Sequence, residues 1–489
     1  MFYQNTSIFY FTVQILNGIL HFDLLMKKQF NLSKKLEILK SSRFSLRKMK
    51  LCYVNNNYLK WFNDYEVKKF LEYNPNKNLK NLKANVETIL KEKNVLFFAI
   101  FNKNKHIGNV KIENINLKKS SAYLGILIGD KKWRHKGVGS EIIEKISNYL
   151  FIKYKISKLF LGLQRKNLKA LNLYKKSGFA IVKKINPRGY SGYLMYRNYF
   201  VSKLVLGTAQ LSSNYGIANK TGKISHQDLK KIKNLAIQKG MVTLETSQSY
   251  GNSEKVLGKA DFSEFNLISK ISEIKVHKSS DFNNLISTSV NKSLKKLRVK
   301  RIYAFLFHNP NDLLSKNGKK IFQGLNKLKK KGIIKNIGIA VYDVSELEAL
   351  SKKFRFDIVS IPFNLLDRRF EKSSVVKELK KKNVKFFARS IFLQGLLLIK
   401  KNKLPEFFER WEKIFTKFEI FAKKSKVSRF KTCLSYALNS KIIDKVIIGV
   451  DDFNQFKQLI CFCLKYRKIS FPSFGKIDYK LINPTQWKI

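Results

Sequence analysis

The feature that most constrains this chain is a regular alternation filling residues 201–489. Eight short runs read as strands: SKLVLGT, MVTLETS, FNLISKI, IYAFLFH, IKNIGIAV, DIVSIPFN, VKFFARS and DKVIIGV. Helix-like runs lie between them, among them HQDLKKIKNLAIQKG, LISTSVNKSLKKLRV and QFKQLICFCLKY. Near-continuous apolar strands that alternate with amphipathic helices are what a parallel sheet covered by helices requires. Eight such units predict a closed (β/α) barrel of the TIM type, with its active site at the C-terminal strand ends. Reactive side chains fall there. MVTLETSQSYGNSE carries Glu245 and, on a Tyr-Gly turn, Tyr250. FNLISK ends in Lys270, and IYAFLFH ends in His308. Each alone reads as a capped or solvated residue; the four together argue for chemistry.

Residues 43–198 follow a different pattern, that of a mixed α+β domain. RFSLRKMKLCYV reads as a strand, and NNNYLKWFNDYEVKKFL and NLKANVETILKEK read as helices. VLFFAIFN, KHIGNVKIENI and SAYLGILIG follow as strands, with a hairpin turn at 102–105. An apolar strand then runs into Arg134, His135, Lys136, Gly137, Val138, Gly139 and Ser140, and straight on into an amphipathic helix. Glycines allow close backbone approach, and free amides at a helix start favour an anion. Arg134 and Lys136 add charge to what reads as a phosphate cradle. The spacing fits neither the triphosphatase loop nor the dinucleotide G-x-G-x-x-G fingerprint.

With 489 residues the chain has room for two or three domains. Lys+Arg 97 against Asp+Glu 34 gives +63, a balance that can mark a polyanion partner. Here the lysines are spread along every helix without a basic block or an arginine-rich arm. Compositional drift therefore accounts for them, and no specific nucleic-acid partner is expected. Anionic substrates and phosphate-bearing cofactors would still be drawn to such a surface. Cys52, Cys433, Cys461 and Cys463 include no zinc pattern, and no metal is expected. So few cysteines fit a reducing, cytoplasmic setting. Residues 1–42 read as an extension, appended or mis-started, with Met26 or a later residue as the start. The apolar stretch 8–26 is interrupted by Gln14, Asn17, His21 and Asp23, so no membrane span is expected.

A second motif in the N-terminal domain adds specificity. KLFLGLQRKNLKALNLYKKSGFAIVKK sets Asn167, Ala170, Tyr174, Gly178 and Phe179 in the pattern N-x-x-A-x-x-x-Y-x-x-x-G-F. With the basic glycine turn, it makes residues 43–198 resemble the GCN5-related N-acetyltransferases (GNAT). The resemblance implies that the amides of residues 134–140 bind the pyrophosphate of acetyl-coenzyme A. It implies that the strand of Leu124, Ile126 and Ile128 splays from its neighbour to hold the pantetheine arm. Asn167 would hydrogen-bond the cofactor, and Tyr174 would protonate the leaving thiolate. Glu113 is a candidate general base; a water-mediated base is the alternative.

The C-terminal domain is similar to the aldo/keto reductases across nearly its whole length. LVLGTAQLSSNYGIAN, SYGNSEKVLG, FNLLDRR and SIFLQGLL carry the likeness. It implies that Tyr250 gives a proton to the carbonyl oxygen, Lys270 depresses the pKa of Tyr250, His308 orients the carbonyl, and the acid at 245 pairs with Lys270. A reduced nicotinamide, NADPH, would be contacted by Asn364, Arg389, Ser390, Gly395, Gly449, Val450 and Gln455. Glu245 stands where the family has Asp, Ala340 where Ser is common, and Gln455 where an acid is common. Together the resemblances imply a bifunctional enzyme that acetylates a primary amine and reduces a carbonyl. Nucleotide-activated amino sugars on the way to surface polysaccharide or nonulosonic acids are the expected substrates. The alternatives are a peptide N-acetyltransferase fused to a general carbonyl reductase, and a basic nucleic-acid scaffold with inactive folds.

Overall fold

The computed structural model describes residues 38–70, 78–186, 191–272, 274, 281–467 and 469–488. Residues 1–37 of the expected extension, Met26 included, lie outside them. The chain divides into two compact units, Met1–Tyr199 and Phe200–Ile489.

The first unit is built on an eight-stranded sheet. Its strands are β1 (Leu39–Lys40), β2 (Ser45–Lys48), β3 (Leu96–Asn102), β4 (Lys105–Asn116), β5 (Ser121–Ile128), β6 (Lys158–Gln164), β7 (Ala180–Ile185) and β8 (Gly192–Asn198), in the order β1-β2-β3-β4-β5-β6-β8-β7. Every neighbouring pair is antiparallel except β5 and β6. Strand alternation sends Val110, Ile112 and Leu124 to one face, where they pack with Ile142, Ile143 and Ile146 of the helix Val138–Tyr154. Phe97, Ala99 and Phe101 go to the other face, against Trp61, Phe62, Leu82 and Val86 of the helices there. The single helix expected from NNNYLKWFNDYEVKKFL is broken. Asn56–Asn63 ends at Asp64, whose side chain accepts from Glu66 N and caps Tyr65–Lys68. A side-chain acceptor that satisfies the free amides of a new helix start competes with continuation of the old one.

The second unit is a closed, all-parallel barrel. β9 (Leu204–Gly207), β10 (Thr243–Glu245), β11 (Asn266–Ile271), β12 (Ile302–Phe307), β13 (Ile334–Ala340), β14 (Ile358–Pro362), β15 (Lys385–Arg389) and β16 (Lys445–Ile448) pair in sequence, and β16 closes on β9. Val205, Ile268, Ala304, Leu306, Ile358 and Phe387 form one buried cluster drawn from five of these strands. Helices follow the strands as the alternation requires. Tyr199–Lys203, between β8 and β9 in the chain, is a short helix.

The helix Ser253–Lys259, which follows the Tyr250 turn, crosses Phe282–Leu297 closely. A Cβ on Gly258 would stand 2.0 Å from the backbone oxygen of Lys296. Backbone cannot swing aside as a side chain can, so the helices must separate. Gly258→Ala is therefore expected to destabilise the barrel by about 1–3 kcal/mol, read as a lower urea midpoint in the barrel's unfolding transition.

Candidate active sites

In the barrel, Glu245 is the last residue of β10, Lys270 is the penultimate residue of β11, and His308 directly follows β12. Tyr250 lies on the loop that leaves β10. That loop is pinned from below: Thr246 N donates to Ile268 O at 2.8 Å and Gln248 N to Lys270 O at 3.0 Å. The Gln248 side chain pins it from the side, accepting from Ser272 N and donating to Ser289 O and Ser293 Oγ. All four side chains line one cavity of about 1320 Å³, with Ala340, Tyr215, Tyr342, Arg369 and Arg389.

Glu245 and Lys270 are both buried and make a direct ion pair. Lys270 Nζ also donates to Thr246 O at 3.3 Å and stands 4.7 Å from the Tyr250 ring centroid, over its face. Burial and the charge of Arg389 press the ammonium of Lys270 to lose its proton. The carboxylate of Glu245 opposes this, since a buried charge is stable only when paired.

The expected depression of the Tyr250 pKa by Lys270 is not found. Burial pushes the phenol well above its ordinary value, Tyr215 and Tyr342 reinforce the rise, and Arg389 opposes it. The reason is geometric: Lys270 faces the ring and its charge is spent on Glu245. His308 sits edge-on to Tyr250, with ring centroids 6.3 Å apart, and its Nδ1 is 3.4 Å from both Ser247 Oγ and Ser249 Oγ. Burial, Lys270 and Arg389 hold its pKa down at about 4, so the imidazole is neutral.

Of the expected cofactor contacts, Arg389, Ser390, Gly395, Gly449, Val450 and Gln455 line the same cavity. Gly395 has φ 94, and a Cβ there would stand 2.5 Å from Ala218 Cβ, while Ile217 N donates to Gln394 O at 2.9 Å. The loops after β9 and β15 are thus latched across the opening. A Cβ on Gly449 would meet Gln210 at 2.4 Å. Gln455 is folded onto Asp451, accepting from its N at 3.0 Å and donating to Oδ2 at 3.1 Å. Asn364 is a correction. It is fully buried and off the cavity wall; Oδ1 accepts from Leu366 N and Asp367 N, and Nδ2 donates to Ser390 O. Its amide braces two loops.

In the first unit, β5 and β6 pair only from Ser121↔Lys158 to Tyr123↔Phe160. Beyond that point Leu124, Ile126 and Ile128 continue with β4 alone, while β6 continues with β8. A wedge therefore opens beside this strand. The turn below it has two left-handed residues, His135 at φ 61 and Gly137 at φ 72, and Val138 starts the helix. Among the described residues the amides of 135–139 make no hydrogen bond to backbone outside the helix. Gly139 is buried against Leu173, and Ser140 is half-buried.

Arg134 departs from expectation. Its guanidinium turns inward, donating to Ile128 O at 3.0 Å and Gly129 O at 2.8 Å and pairing with Asp64 at 2.9 Å. It holds the turn in place and does not reach out for a phosphate, because the Asp64 carboxylate is within reach. Lys136 remains exposed, 5.8 Å from the Trp133 ring centroid. Asn167 caps the helix Leu168–Lys176 by accepting from Ala170 N. The Tyr174 ring packs edge-on to Phe179 in the core, and burial pushes its hydroxyl up to about 12. Glu113 pairs with Lys111 at 2.7 Å, and burial raises its carboxyl above the ordinary value.

Sequence reasoning missed Asp64, Gln248, Tyr215 and Tyr342. Each acts on a residue far from it in the chain or through a loop fold, so no local pattern marks it.

A sequence model of the aldo/keto reductase family matches residues 203–478, more than half the chain, and the chain belongs to that family. A model of the acetyltransferase (GNAT) domain matches residues 43–180. The chain thus joins an acetylating and a reducing domain, in that order. Among solved structures, a Pseudomonas aeruginosa protein described as an aldo-keto reductase is 17% identical, covering 54% of this chain and 90% of that one, with a TM-score of 0.40. An aldo-keto reductase from Bacillus halodurans in its holo form is 16% identical, covering 60% and 93%, with a TM-score of 0.44. No curated protein matches the chain. Among the described residues no helix is long and apolar enough to cross a membrane, and no cluster of metal-ligating side chains occurs.

The low pKa of His308 has a linked consequence. As pH falls from 6.5 to about 4, the unfolded chain takes up a proton that the folded one refuses. This contribution to stability is present above pH 6.5 and is lost across that window. The fall in melting temperature between pH 7 and pH 5 should therefore be smaller in His308→Asn than in the unchanged protein, by differential scanning fluorimetry.

Proposed function

We propose that the protein acetylates the amino group of a nucleotide-linked amino sugar with acetyl-coenzyme A and reduces a carbonyl with NADPH. The setting is cytoplasmic synthesis of surface polysaccharide or nonulosonic acids. The observation that carries the reductase reading is the convergence of Glu245, Tyr250, Lys270 and His308 on one cavity. The cavity also suits a dinucleotide in size, in the close backbone approach at Gly395 and Gly449, and in the lysines at Lys400, Lys403, Lys423 and Lys426. Ser390, Gly395, Gly449, Val450 and Gln455 would hold it, and a bound reduced nicotinamide supplies the hydride.

Tyr250 then gives its proton to the carbonyl oxygen. A raised phenol pKa does not prevent this, because an alkoxide is far more basic than a phenolate. With Nδ1 of His308 accepting from Ser247 or Ser249, Nε2 carries the proton and can orient the carbonyl. Glu245 keeps Lys270 charged under the Tyr250 ring.

In the acetyltransferase half, the wedge beside β5 would take the pantetheine arm, and the amides of residues 135–140 the pyrophosphate. Glu113, with its raised pKa, would accept a proton from the amine as the amine attacks the thioester carbon. The carbon–sulfur bond then breaks and the thiolate leaves. Tyr174 at about 12 is a weaker acid than a thiol at about 8.5. Its fitting part is to donate a hydrogen bond to the sulfur while keeping its own proton.

Incubation with acetyl-coenzyme A and a panel of nucleotide-linked amino sugars should release free thiol. Release only with peptide N-termini or lysines would refute the sugar assignment. Tyr250→Phe should lower carbonyl reduction at least about 100-fold while leaving thiol release unchanged; wild-type reduction by this variant would remove Tyr250 as the acid.

A further inference from the structure

Arg389 ends β15 and projects into the same cavity as Tyr250 and His308. One guanidinium nitrogen, Nη2, donates to Val341 O at 2.8 Å, and the planar head lies 4.3 Å from the Tyr342 ring centroid. The head is therefore fixed in place. It is half-buried, and among the described residues it has no carboxylate partner. Glu245, which lines the same cavity, is committed to Lys270. Arg369, also on the cavity wall, is by contrast neutralised by Asp367 and Asp343. Beside Tyr250 and His308, Arg389 thus holds a positive charge in a fixed position with no carboxylate partner among the described residues. Its electrostatic reach is visible in the low pKa of His308 and the destabilised ammonium of Lys270.

A partly desolvated guanidinium without a counter-charge is costly, and a planar oxyanion in contact with it recovers that cost. We propose that the carbonyl compound reduced in the barrel is an anion, whose carboxylate or phosphate group is received by Arg389 beside Tyr250 and His308. This rests on the reductase reading and narrows its substrate class. The nucleotide-linked sugars proposed above, which carry a diphosphate, belong to that class. Arg389 is then a specificity determinant that leaves the proton transfer itself to Tyr250.

The test uses two matched pairs in the full-length protein: glyceraldehyde 3-phosphate with glyceraldehyde, and succinic semialdehyde with butyraldehyde. The wild type should prefer the charged member of at least one pair by tenfold or more in kcat/KM, and the preferred pair distinguishes phosphate from carboxylate. Arg389→Met should lose about 30-fold or more on the charged member and less than about threefold on the neutral one, with cofactor affinity by fluorescence titration unchanged. Arg389→Lys should restore part of the preference. Equal loss on charged and neutral members, weakened cofactor binding in Arg389→Met, or no preference in the wild type would each overturn the proposal. Independently of turnover, inorganic phosphate and succinate are titrated calorimetrically into both proteins with NADPH present. Binding of either that is lost in Arg389→Met supports the anion site even if no carbonyl is reduced. Binding equal in the two proteins, or binding of neither, overturns it. A failure of the reductase reading would show separately, as absence of turnover on all four aldehydes.

Discussion

In the proposed reduction, the chemistry of the barrel depends on the contact between Glu245 and Lys270. Both side chains are buried, and neither is stable there as an isolated charge. Together they supply a fixed dipole under the face of Tyr250. The closed parallel barrel makes the contact possible: Glu245 and Lys270 lie on adjacent strands, at residues whose pairing register is set by Glu245↔Ile268. The clamp formed by Gln248 sets the return of the loop, and hence where Tyr250 stands above the pair. In this arrangement Tyr250 is tuned mainly by burial, with Arg389 opposing.

The acetyltransferase half rests on a different physical device, the interruption of a sheet. β5 and β6 pair for three residues and then part, which leaves a wedge of unpaired strand edge. Below it, a turn with two left-handed residues delivers a helix start. Arg134 locks that turn to Asp64 and to the carbonyls of Ile128 and Gly129. The Arg134 charge is therefore structural, and in the proposed binding mode the ligand-facing groups are backbone amides and exposed Lys136.

The barrel was legible in the sequence because a parallel strand covered on both faces must be apolar throughout, and eight such runs leave few alternatives. The places of Glu245, Tyr250, Lys270 and His308 were legible because strand ends can be counted. The break at Asp64 was hidden, because the aromatic and aliphatic spacing of NNNYLKWFNDYEVKKFL continues through it and only the capping contact shows the interruption. The spending of the Asn364 amide on Ser390, Leu366 and Asp367 was equally hidden: it depends on how two loops meet. The direction of the Tyr250 pKa could not be read either, since it follows from burial and from a lysine lying over the ring face and not at the hydroxyl.

The most direct test of this account is the rate of carbonyl-dependent NADPH oxidation by Glu245→Gln. The change keeps the size of the side chain and removes its charge. The account predicts a fall of about 100-fold or more in kcat, with acetyl-coenzyme A turnover at the other domain unchanged. Carbonyl reduction at the wild-type rate in Glu245→Gln would contradict it.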